Sequence, residues 1–332
     1  MFFRSKAQVQ DKYRAPWLNS KKLKPSGRRP ACLLKILYDG GVPTPDAIVF
    51  HHPSEFVTFK TSPHLPGVEL YSARLVDHAF APHVHEGYSI GAIEAGVERF
   101  RYQGQEHVAP AGTVVLLNPD EMHTGQAEVE GGWTYQMLYI EPQTLLDMTG
   151  TEAFFPNAAV HDPLLAGAYR KAFKTMWQAG DDVAFVSSFT QLIDGVVSRY
   201  GKNAQLPLQA APSSQQQRRS LSMQRVLDCI EDQLDQSLRI EQLAAEAGLS
   251  MFHFVRSFTA IYHVTPHQYI QARRTARAKH LLAQRNTPSD AAAAVGLTDQ
   301  SHLNRWFKRA YGVTPAQYQQ QIGTRPELAT RG

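Results

Sequence analysis

Hydrophobic and polar residues alternate differently in successive parts of this 332-residue chain, and these changes predict its organisation. Between residues 47 and 145, short runs of β-branched and aromatic residues are separated by turn-forming residues, a pattern that predicts strands. The main runs are Val68 to Val76, Tyr88 to Ile93, Val97 to Tyr102, Thr113 to Leu117 and Trp133 to Ile140. The segment Glu94-Ala-Gly96 predicts a turn between two of them. Many short strands at this spacing favour a barrel or a double-sheet jelly roll.

Apolar residues adopt helical spacing after this strand-rich part. Two stripes with spacings of three and four residues predict a pair of helices within residues 160–202. The first stripe consists of Leu164, Leu165, Ala168, Ala172, Phe173 and Met176, and the second of Phe185, Phe189, Leu192, Ile193 and Val196. Residues 203–220 are rich in Gln, Ser, Pro and Ala without apolar periodicity, so they are predicted to be a linker.

Residues 291–315 predict two short helices joined by a tight turn. Four alanines begin the segment, and Gly296 ends the first helix because glycine tolerates the left-handed backbone found at helix C-termini. Thr298 or Asp299 supplies an oxygen that caps the next helix. On that helix, apolar residues form one face, namely Leu303, Trp306, Phe307 and Ala310. The opposite face is polar and basic, as reading a DNA major groove requires.

The same pattern occurs upstream, in residues 243–266. Glycine-leucine-serine is followed by histidine, arginine, phenylalanine, tyrosine and valine-threonine-proline in the order seen in residues 291–315. His253 matches His302, and Arg256 matches Arg305. A single such pattern is more often an ordinary helical hairpin, but two copies favour a duplicated DNA-reading module. Residues 243–266 are called the first unit below, and residues 291–315 the second unit.

The C-terminal hundred residues resemble the DNA-binding domain of the AraC/XylS family of bacterial transcription regulators. The segment Gly296 to Pro315 carries most of the resemblance. It implies a DNA-binding domain over residues 221–322, with two helix-turn-helix units that enter successive major grooves. A long helix from about His267 to Gln284 would join them. Some of its basic residues would contact phosphate and others only solvent; they are Arg273, Arg274, Arg277 and Lys279.

The resemblance also implies which residues face the DNA. The positions expected at the interface are Phe252, His253, Val255, Arg256, Gln300, Ser301, Asn304 and Arg305. Phe252 and Val255 can touch thymine methyl groups but cannot form bidentate hydrogen bonds with bases. We therefore expect the second unit to supply more of the hydrogen-bonded readout, and the first to rely mainly on Arg256.

The strand-rich part resembles the cupin-like effector-binding domain found at the N-terminus of many AraC-type regulators. Pro82 to Ile90, Pro110-Ala-Gly112 and Asn118 to His123 carry this resemblance. It implies an effector-binding domain over residues 47–145 and an α+β multidomain fold, with a β-barrel or jelly roll, a helical pair and an all-α double helix-turn-helix. The candidates to line an effector pocket are His83, His85, Tyr88, His123, Tyr135 and Met137. Tyr135 and Met137 are equally plausible as core residues.

His83 and His85 are spaced to point to one side of a strand, and with His123 they could hold a divalent metal. Metal-binding cupins, however, have a glutamate a few residues after the His-x-His pair, where this chain has Ser89 and Ile90. A metal site, a polar ligand-lining pocket and purely structural histidines all remain open. The departures favour the pocket, so no metal or other cofactor is expected.

Charge is distributed unevenly along the chain, whose net charge is +4. Residues 31–217 hold ten Lys and Arg against twenty Asp and Glu, whereas residues 218–322 hold thirteen against eight. Attraction to phosphate is therefore expected from the C-terminal domain. Residues 1–46 are basic at their start, rich in proline and without periodicity, which predicts a disordered tail. The two cysteines, Cys32 and Cys229, are far apart in sequence, which suits a reducing cytoplasm.

These features predict a transcription regulator whose N-terminal domain senses a small-molecule effector. The expected partners are a double-stranded DNA operator, the effector, RNA polymerase and a second copy of the chain; no membrane partner is expected. The helical pair either forms the contact with the second copy or only packs against the barrel. The alternative is a metal-dependent cupin enzyme that its C-terminal domain recruits to DNA. That alternative would depend on the three histidines alone, because the chain contains no nucleophile elbow, phosphate-binding loop or dinucleotide fingerprint.

Overall fold

The computed structural model describes residues 52–63, 65–203 and 214–323. The tail predicted for residues 1–46 and most of the predicted linker lie outside these ranges. Strands fill the described chain up to residue 140, and helices dominate after it. The strands are β1 (Phe56–Thr61), β2 (Val68–Leu75), β3 (Phe80–His83), β4 (Tyr88–Tyr102), β5 (Gln105–Pro110), β6 (Thr113–Leu117), β7 (His123–Ala127), β8 (Trp133–Ile140), β9 (Ala153–Phe154), β10 (Ala159–His161) and β11 (Lys202–Asn203).

The β domain, residues 56–161, consists of two antiparallel layers that share the long strand β4. The first half of β4 pairs with β6 and β8, and its second half pairs with β5 and β7. The strand order β1-β2-β8-β4-β6-β10 does not close on itself. This open, two-layered arrangement is compatible with the predicted jelly roll and differs from a closed barrel.

The turn predicted at residues 94–96 is not present, because β4 runs through this segment. The pairing of β4 with β8 is irregular between Ile93 and Ala95, and Gly96 adopts a positive φ of 73°. A side chain at Gly96 would collide with the carbonyl oxygen of Gly132. The glycine that suggested a turn instead permits a bulge in a continuous strand.

The helices follow the β domain. They are α1 (Pro142–Thr149), α2 (Pro163–Gln178), α3 (Asp182–Tyr200), α4 (Ser214–Asp232), α5 (Ile240–Glu246), α6 (Met251–Tyr262), α7 (Pro266–Ala283), α8 (Pro288–Ala294), α9 (Gln300–Tyr311) and α10 (Pro315–Gly323). Helix α4 thus begins within the range assigned to the linker. Within the described ranges, no helix combines the length and hydrophobicity that crossing a bilayer requires. Cys229, on α4, is a free thiol.

Buried apolar side chains in the described residues form three clusters that cross the sequence-based boundaries. One contains α4 and the first unit, with Phe254 and Phe258. A second covers one face of the β domain with α2 and α3. The third joins the interior of the β domain to the second unit, for example Phe59 to Phe307. The second unit therefore shares its core with the β domain, whereas the first unit does not.

Both units have the predicted turn and cap. Gly248 and Gly296 adopt positive φ values of 67° and 68° after α5 and α8. The Ser250 hydroxyl and the Asp299 carboxylate accept hydrogen bonds from backbone N–H groups of the next helix, the latter from His302 at 2.7 Å. The caps start α6 and α9 at the predicted places because they satisfy N–H groups that have no partner within the helix.

The basic residues of α7 differ from the expectation that they contact phosphate or solvent. Arg273 forms ion pairs with Asp120 of the β domain and Glu231 of α4. Arg274 is buried and donates to the carbonyl oxygens of Leu234 and Gln236. Arg277 is the exposed member of this set. Most of the positive charge on α7 therefore stabilises contacts within the protein.

Lys279 makes the densest contact between α7 and the β domain. Its ammonium group forms an ion pair with Glu69 of β2. Four aromatic rings surround the same nitrogen at 4.8 to 5.3 Å from their centroids, namely Phe59, Tyr139, Tyr311 and Tyr318. The Tyr318 hydroxyl also donates to Glu69 at 2.7 Å. One cation thus connects β1, β2, β8, α9 and α10.

The Lys279→Met variant should lose about 3 kcal/mol of unfolding free energy, because it leaves the largely buried Glu69 carboxylate without its cation. Urea denaturation followed by circular dichroism measures this loss. Arg277→Met on the exposed face of the same helix is the matched control. A loss no larger than that of the control would contradict the structural role of Lys279, and rescue of Lys279→Met by Glu69→Gln would support it.

Candidate functional site: two recognition helices and an internal cavity

The reading face of the second unit is exposed as predicted. Gln300, Ser301 and Arg305 lie exposed on α9, and Asn304 is half-buried. Behind them, Leu303 and Phe307 are fully buried and fix the helix against the third apolar cluster. These amide, hydroxyl and guanidinium groups have the donors and acceptors needed to read base edges.

Trp306 was predicted to be a core residue, but it is only partly buried. Its indole N–H donates to Nε2 of His302 at 2.8 Å, and the Arg309 guanidinium lies 5.6 Å from its ring. This row of side chains follows the outer side of α9, next to the predicted reading face. The helical pattern identified the residues but could not show that an indole at the edge of the apolar stripe would pair with a histidine one turn earlier.

The first unit presents a more apolar face. Phe252 is 70% exposed and Met251 51% exposed on α6. His253 and Arg256 are exposed, whereas Val255 is half-buried and packs against the first-unit cluster. Exposed aromatic surface of this extent is unusual for a helix that faces only water. Phe252 and Arg256 are therefore the most accessible groups of this helix, and Val255 is less accessible than the sequence predicted.

A small cavity of about 40 Å³ lies inside the β domain. Five of the six predicted pocket residues line it, namely His83, His85, His123, Tyr135 and Met137. The sixth, Tyr88, lies elsewhere: its hydroxyl donates to the carbonyl oxygen of Ala153 at 2.7 Å, and its ring belongs to the cluster that packs on α2 and α3. Alternation along β4 places Tyr88 on the face opposite the cavity.

The structure brings His83, His85 and His123 together. His83 and His123 are opposite each other in the β3–β7 pairing, and their ring centroids are 4.2 Å apart. The His85 ring lies 5.0 Å from that of His83 and 5.1 Å from that of His123. A ligand nitrogen from each residue lies within 4.8 Å of the others, so the three side chains could hold one metal ion.

Burial keeps these histidines neutral. It lowers the pKa of His83 and of His85 well below 6.5 and that of His123 to about 4, because the charged imidazolium is penalised away from water. Nδ1 of His83 lies 2.8 Å from the Ala81 carbonyl oxygen, and Nδ1 of His123 lies 2.9 Å from that of Glu121. As neutral rings, both must donate from Nδ1 to these carbonyls, which leaves each Nε2 with a free lone pair.

Two groups of cavity residues were not among the predicted candidates. Glu98 of β4 lines the cavity, and burial raises the pKa of its carboxyl to about 8. The alternation of Glu98 with Phe100 and Tyr102 was a sequence signal for an inward-facing acid. Ala310 and Tyr311, from the C-terminal end of α9, also line the cavity. Their contribution depends on docking between distant segments, so local sequence patterns could not show it.

Comparison with known families identifies two domains in the chain. The AraC-like ligand binding domain family matches residues 65–193, and a helix-turn-helix domain family matches residues 243–321. Together the matches span more than half of the chain.

Characterised and uncharacterised regulators resemble nearly the whole described chain. The uncharacterized HTH-type transcriptional regulator YbfI of Bacillus subtilis is 27% identical over 257 residues, which are 75% of this chain and 90% of YbfI. The HTH-type transcriptional activator RhaS of Escherichia coli is 23% identical over 263 residues, which are 74% of this chain and 90% of RhaS.

Among solved structures, ToxT from Vibrio cholerae aligns with a TM-score of 0.48 and 10% identity, over 77% of this chain and 98% of the ToxT chain. The site, the two matching domains and the regulator relatives lead to one assignment. The chain belongs to the AraC family of DNA-binding transcription regulators with an N-terminal ligand-binding domain.

Proposed function

We propose that a small-molecule effector binds in the cavity of the β domain and controls the DNA-binding activity of the second unit. The observation that supports this proposal is Tyr311, the last residue of α9, which lines the cavity. Its ring lies 6.0 Å from that of His83 and 5.8 Å from that of His85, and its hydroxyl donates to the Val84 carbonyl oxygen at 3.5 Å. An effector beside the histidines would therefore contact the DNA-binding domain directly.

Coupling follows from the rigidity of α9. Tyr311 and Arg305 are on the same helix, less than two turns apart, so a shift of Tyr311 moves the reading face. An effector that fits better when Tyr311 is displaced would favour a population with the second unit in another position. The effector acts because its affinity differs between the two positions of the second unit. A cavity lined by both domains can provide such a difference.

The cavity wall indicates the chemistry of the effector. Most of it is apolar or aromatic. Its polar groups include the Glu98 carboxyl, whose pKa burial raises to about 8, and the three imidazoles. The hydroxyls that line it belong to Tyr71, Ser89, Thr124, Tyr135, Tyr139 and Tyr311. A compact, mostly apolar molecule with a few hydrogen-bonding groups suits such a wall, and the cavity of about 40 Å³ must widen to admit it. His83, His85, His123, Tyr135 and Met137 remain the proposed effector contacts, with Glu98 added.

Base reading is assigned unequally to the two units. In the second unit, Gln300, Ser301, Asn304 and Arg305 supply hydrogen bonds to base edges. In the first unit, Phe252 supplies methyl contact, Arg256 and His253 supply polar contact, and half-buried Val255 has a minor role. This division is supported by the exposed apolar side chains at the start of α6, Met251 and Phe252, where α9 begins with the exposed polar residues Gln300 and Ser301.

Assembly completes the proposal. Leu164 at the start of α2 is 85% exposed and Val183 at the start of α3 is 75% exposed, which supports a second copy of the chain docking on this helical pair. RNA polymerase is the proposed partner at the promoter. The chain acts by binding and has no catalytic role.

Genome-wide mapping of bound DNA, followed by a thermal-shift screen of metabolites suggested by the neighbouring genes, tests the proposal. A metabolite that stabilises the protein and changes its affinity for a mapped site is the expected result. The Tyr311→Ala variant should still bind the site but lose the response to the metabolite. An unchanged response in Tyr311→Ala would contradict the proposed route of coupling.

Arg305→Ala should weaken binding to a cognate site by about 1 to 3 kcal/mol and relax the preference at one base pair. The reason is the loss of a bidentate contact to a base edge. Fluorescence anisotropy with cognate and single-base variant duplexes measures both effects. Arg277→Ala, outside the recognition helices, is the control, and an equal loss for Arg305→Ala on random DNA would exclude the base-reading role.

Glu98→Gln should remove a pH dependence of stability. Between the ordinary pKa of 4.5 and the folded value of about 8, the folded protein keeps a proton that the unfolded chain has lost. The unfolding free energy therefore falls as pH rises through this window, by at most about 1.4 kcal/mol per pH unit. The cavity histidines, whose folded pKa values are lowered, act in the opposite direction only below about pH 6.5.

The useful range for this test is thus about pH 7 to 8, above the histidine window and below the folded pKa of Glu98. Urea unfolding of the wild type should show falling stability across it, and Glu98→Gln should show a flatter dependence. Glu94→Gln, an exposed position on the same strand, should behave like the wild type. Identical slopes for the wild type and Glu98→Gln would show that this carboxyl is not protonated in the folded state.

A further inference from the structure

His83, His85 and His123 have a geometry that packing alone does not explain. All three side chains are at most 8% exposed, and the centroids of their rings lie 4.2 to 5.1 Å from one another. Among the described residues, the hydrogen bonds of His83 and His123 are those made by Nδ1 to carbonyl oxygens. The other ring nitrogens of the three residues make no hydrogen bond with the described residues, so one nitrogen from each is available to a shared ligand.

The two carbonyl contacts have a second consequence. A histidine that binds a metal usually donates its other ring N–H to a backbone carbonyl or carboxylate, which fixes the tautomer and the ring orientation. The Ala81 and Glu121 carbonyl oxygens occupy that position for His83 and His123. Both carbonyls belong to residues two positions earlier in the chain, so the backbone around β3 and β7 orients the rings before any ligand arrives.

The type of ion follows from the ligands. Imidazole nitrogens favour zinc and first-row transition metals over magnesium or calcium, which prefer oxygen ligands. Three nitrogens within 4.8 Å of one another need only small side-chain rotations to reach the zinc–nitrogen bond distance of about 2.0 to 2.1 Å. Tyr311 lines the same cavity, with its ring 6.0 Å from that of His83 and 5.8 Å from that of His85.

We propose that His83, His85 and His123 bind one divalent transition-metal ion in the effector cavity, and that the ion acts on the second unit through Tyr311. Because the ion would lie between the β domain and the end of α9, its binding would favour one position of the second recognition helix. Affinity for DNA would then depend on the metal. This inference depends on the proposed function for the coupling step but not for the metal site itself.

Metal binding is tested first, with the full-length chain stripped by a chelator and titrated with Co²⁺ and then Zn²⁺. We expect one ion per chain by elemental analysis and visible absorption bands of Co²⁺ bound by nitrogen ligands. His85→Asn and His123→Gln should each weaken binding by at least about tenfold. His107→Gln is the matched control, because this half-buried imidazole stacks on Phe100 of the same domain outside the cluster.

Absence of stoichiometric binding by the wild type would overturn the site, as would equal binding by wild type, His85→Asn and His123→Gln. Circular dichroism of each metal-free variant shows whether it is folded. Should His123→Gln be unfolded, His85→Asn decides the outcome, since no hydrogen bond of its ring to the described backbone is lost.

Coupling is tested with a duplex selected by the metal-free wild type. Saturating Zn²⁺ should change its dissociation constant at least about fivefold in the wild type and leave it unchanged in His85→Asn and Tyr311→Ala. Zinc binding without a change in DNA affinity would overturn the coupling while leaving the metal site established. Failure of the metal-free wild type to select any duplex would instead contradict the proposed function, so the two failures are distinguishable.

Discussion

The Lys279 ammonium group, held between Glu69 and four aromatic rings, is the contact on which the relation between the two domains depends. Removing an ammonium ion from water is costly, and the cost is offset only when a carboxylate and ring faces surround it together. Those groups come from β1, β2, β8, α9 and α10. No single element supplies this environment, so the stabilisation of Lys279 depends on docking of the second unit on the β domain.

This arrangement makes the two helix-turn-helix units physically different. The first unit has its own core with α4. It contacts the β domain through Met122, which packs against this core, and through the His263 ring, which lies against Gly104. The second unit completes the core of the β domain, and its Tyr311 reaches the cavity. A change in the cavity therefore reaches the second unit through direct contact, whereas none of the residues that line the cavity belongs to the first unit. The unit with the more polar reading face is also the one closest to the proposed sensor.

Local sequence patterns predicted the structural features that depend on residues close together in the chain. The glycine and cap of each unit, the joining helix and most strands follow from spacing and backbone preferences, as Gly296 and Asp299 illustrate. Side-chain direction on β4 could not be predicted, because both faces of its first half are buried and the alternation of polar and apolar residues disappears. Tyr88 was assigned to the wrong face for this reason. The contacts of Lys279 and Tyr311 depend on docking between segments that are far apart in the sequence.

The cationic side chains of α7 mostly form contacts within the protein, so fewer of them can attract DNA. Charge counts along the sequence assign phosphate attraction to the whole C-terminal domain, but Arg273, Arg274 and Lys279 are committed to carboxylates and carbonyl oxygens inside the protein. A cation that is already paired within the protein neutralises few DNA phosphates, so it releases few of the counterions that surround DNA. The exposed guanidinium groups of the recognition helices, Arg256 and Arg305, therefore carry a larger share of the attraction. Arg256 and Arg305 are also the proposed base contacts, so under that proposal affinity and specificity rest on overlapping residues.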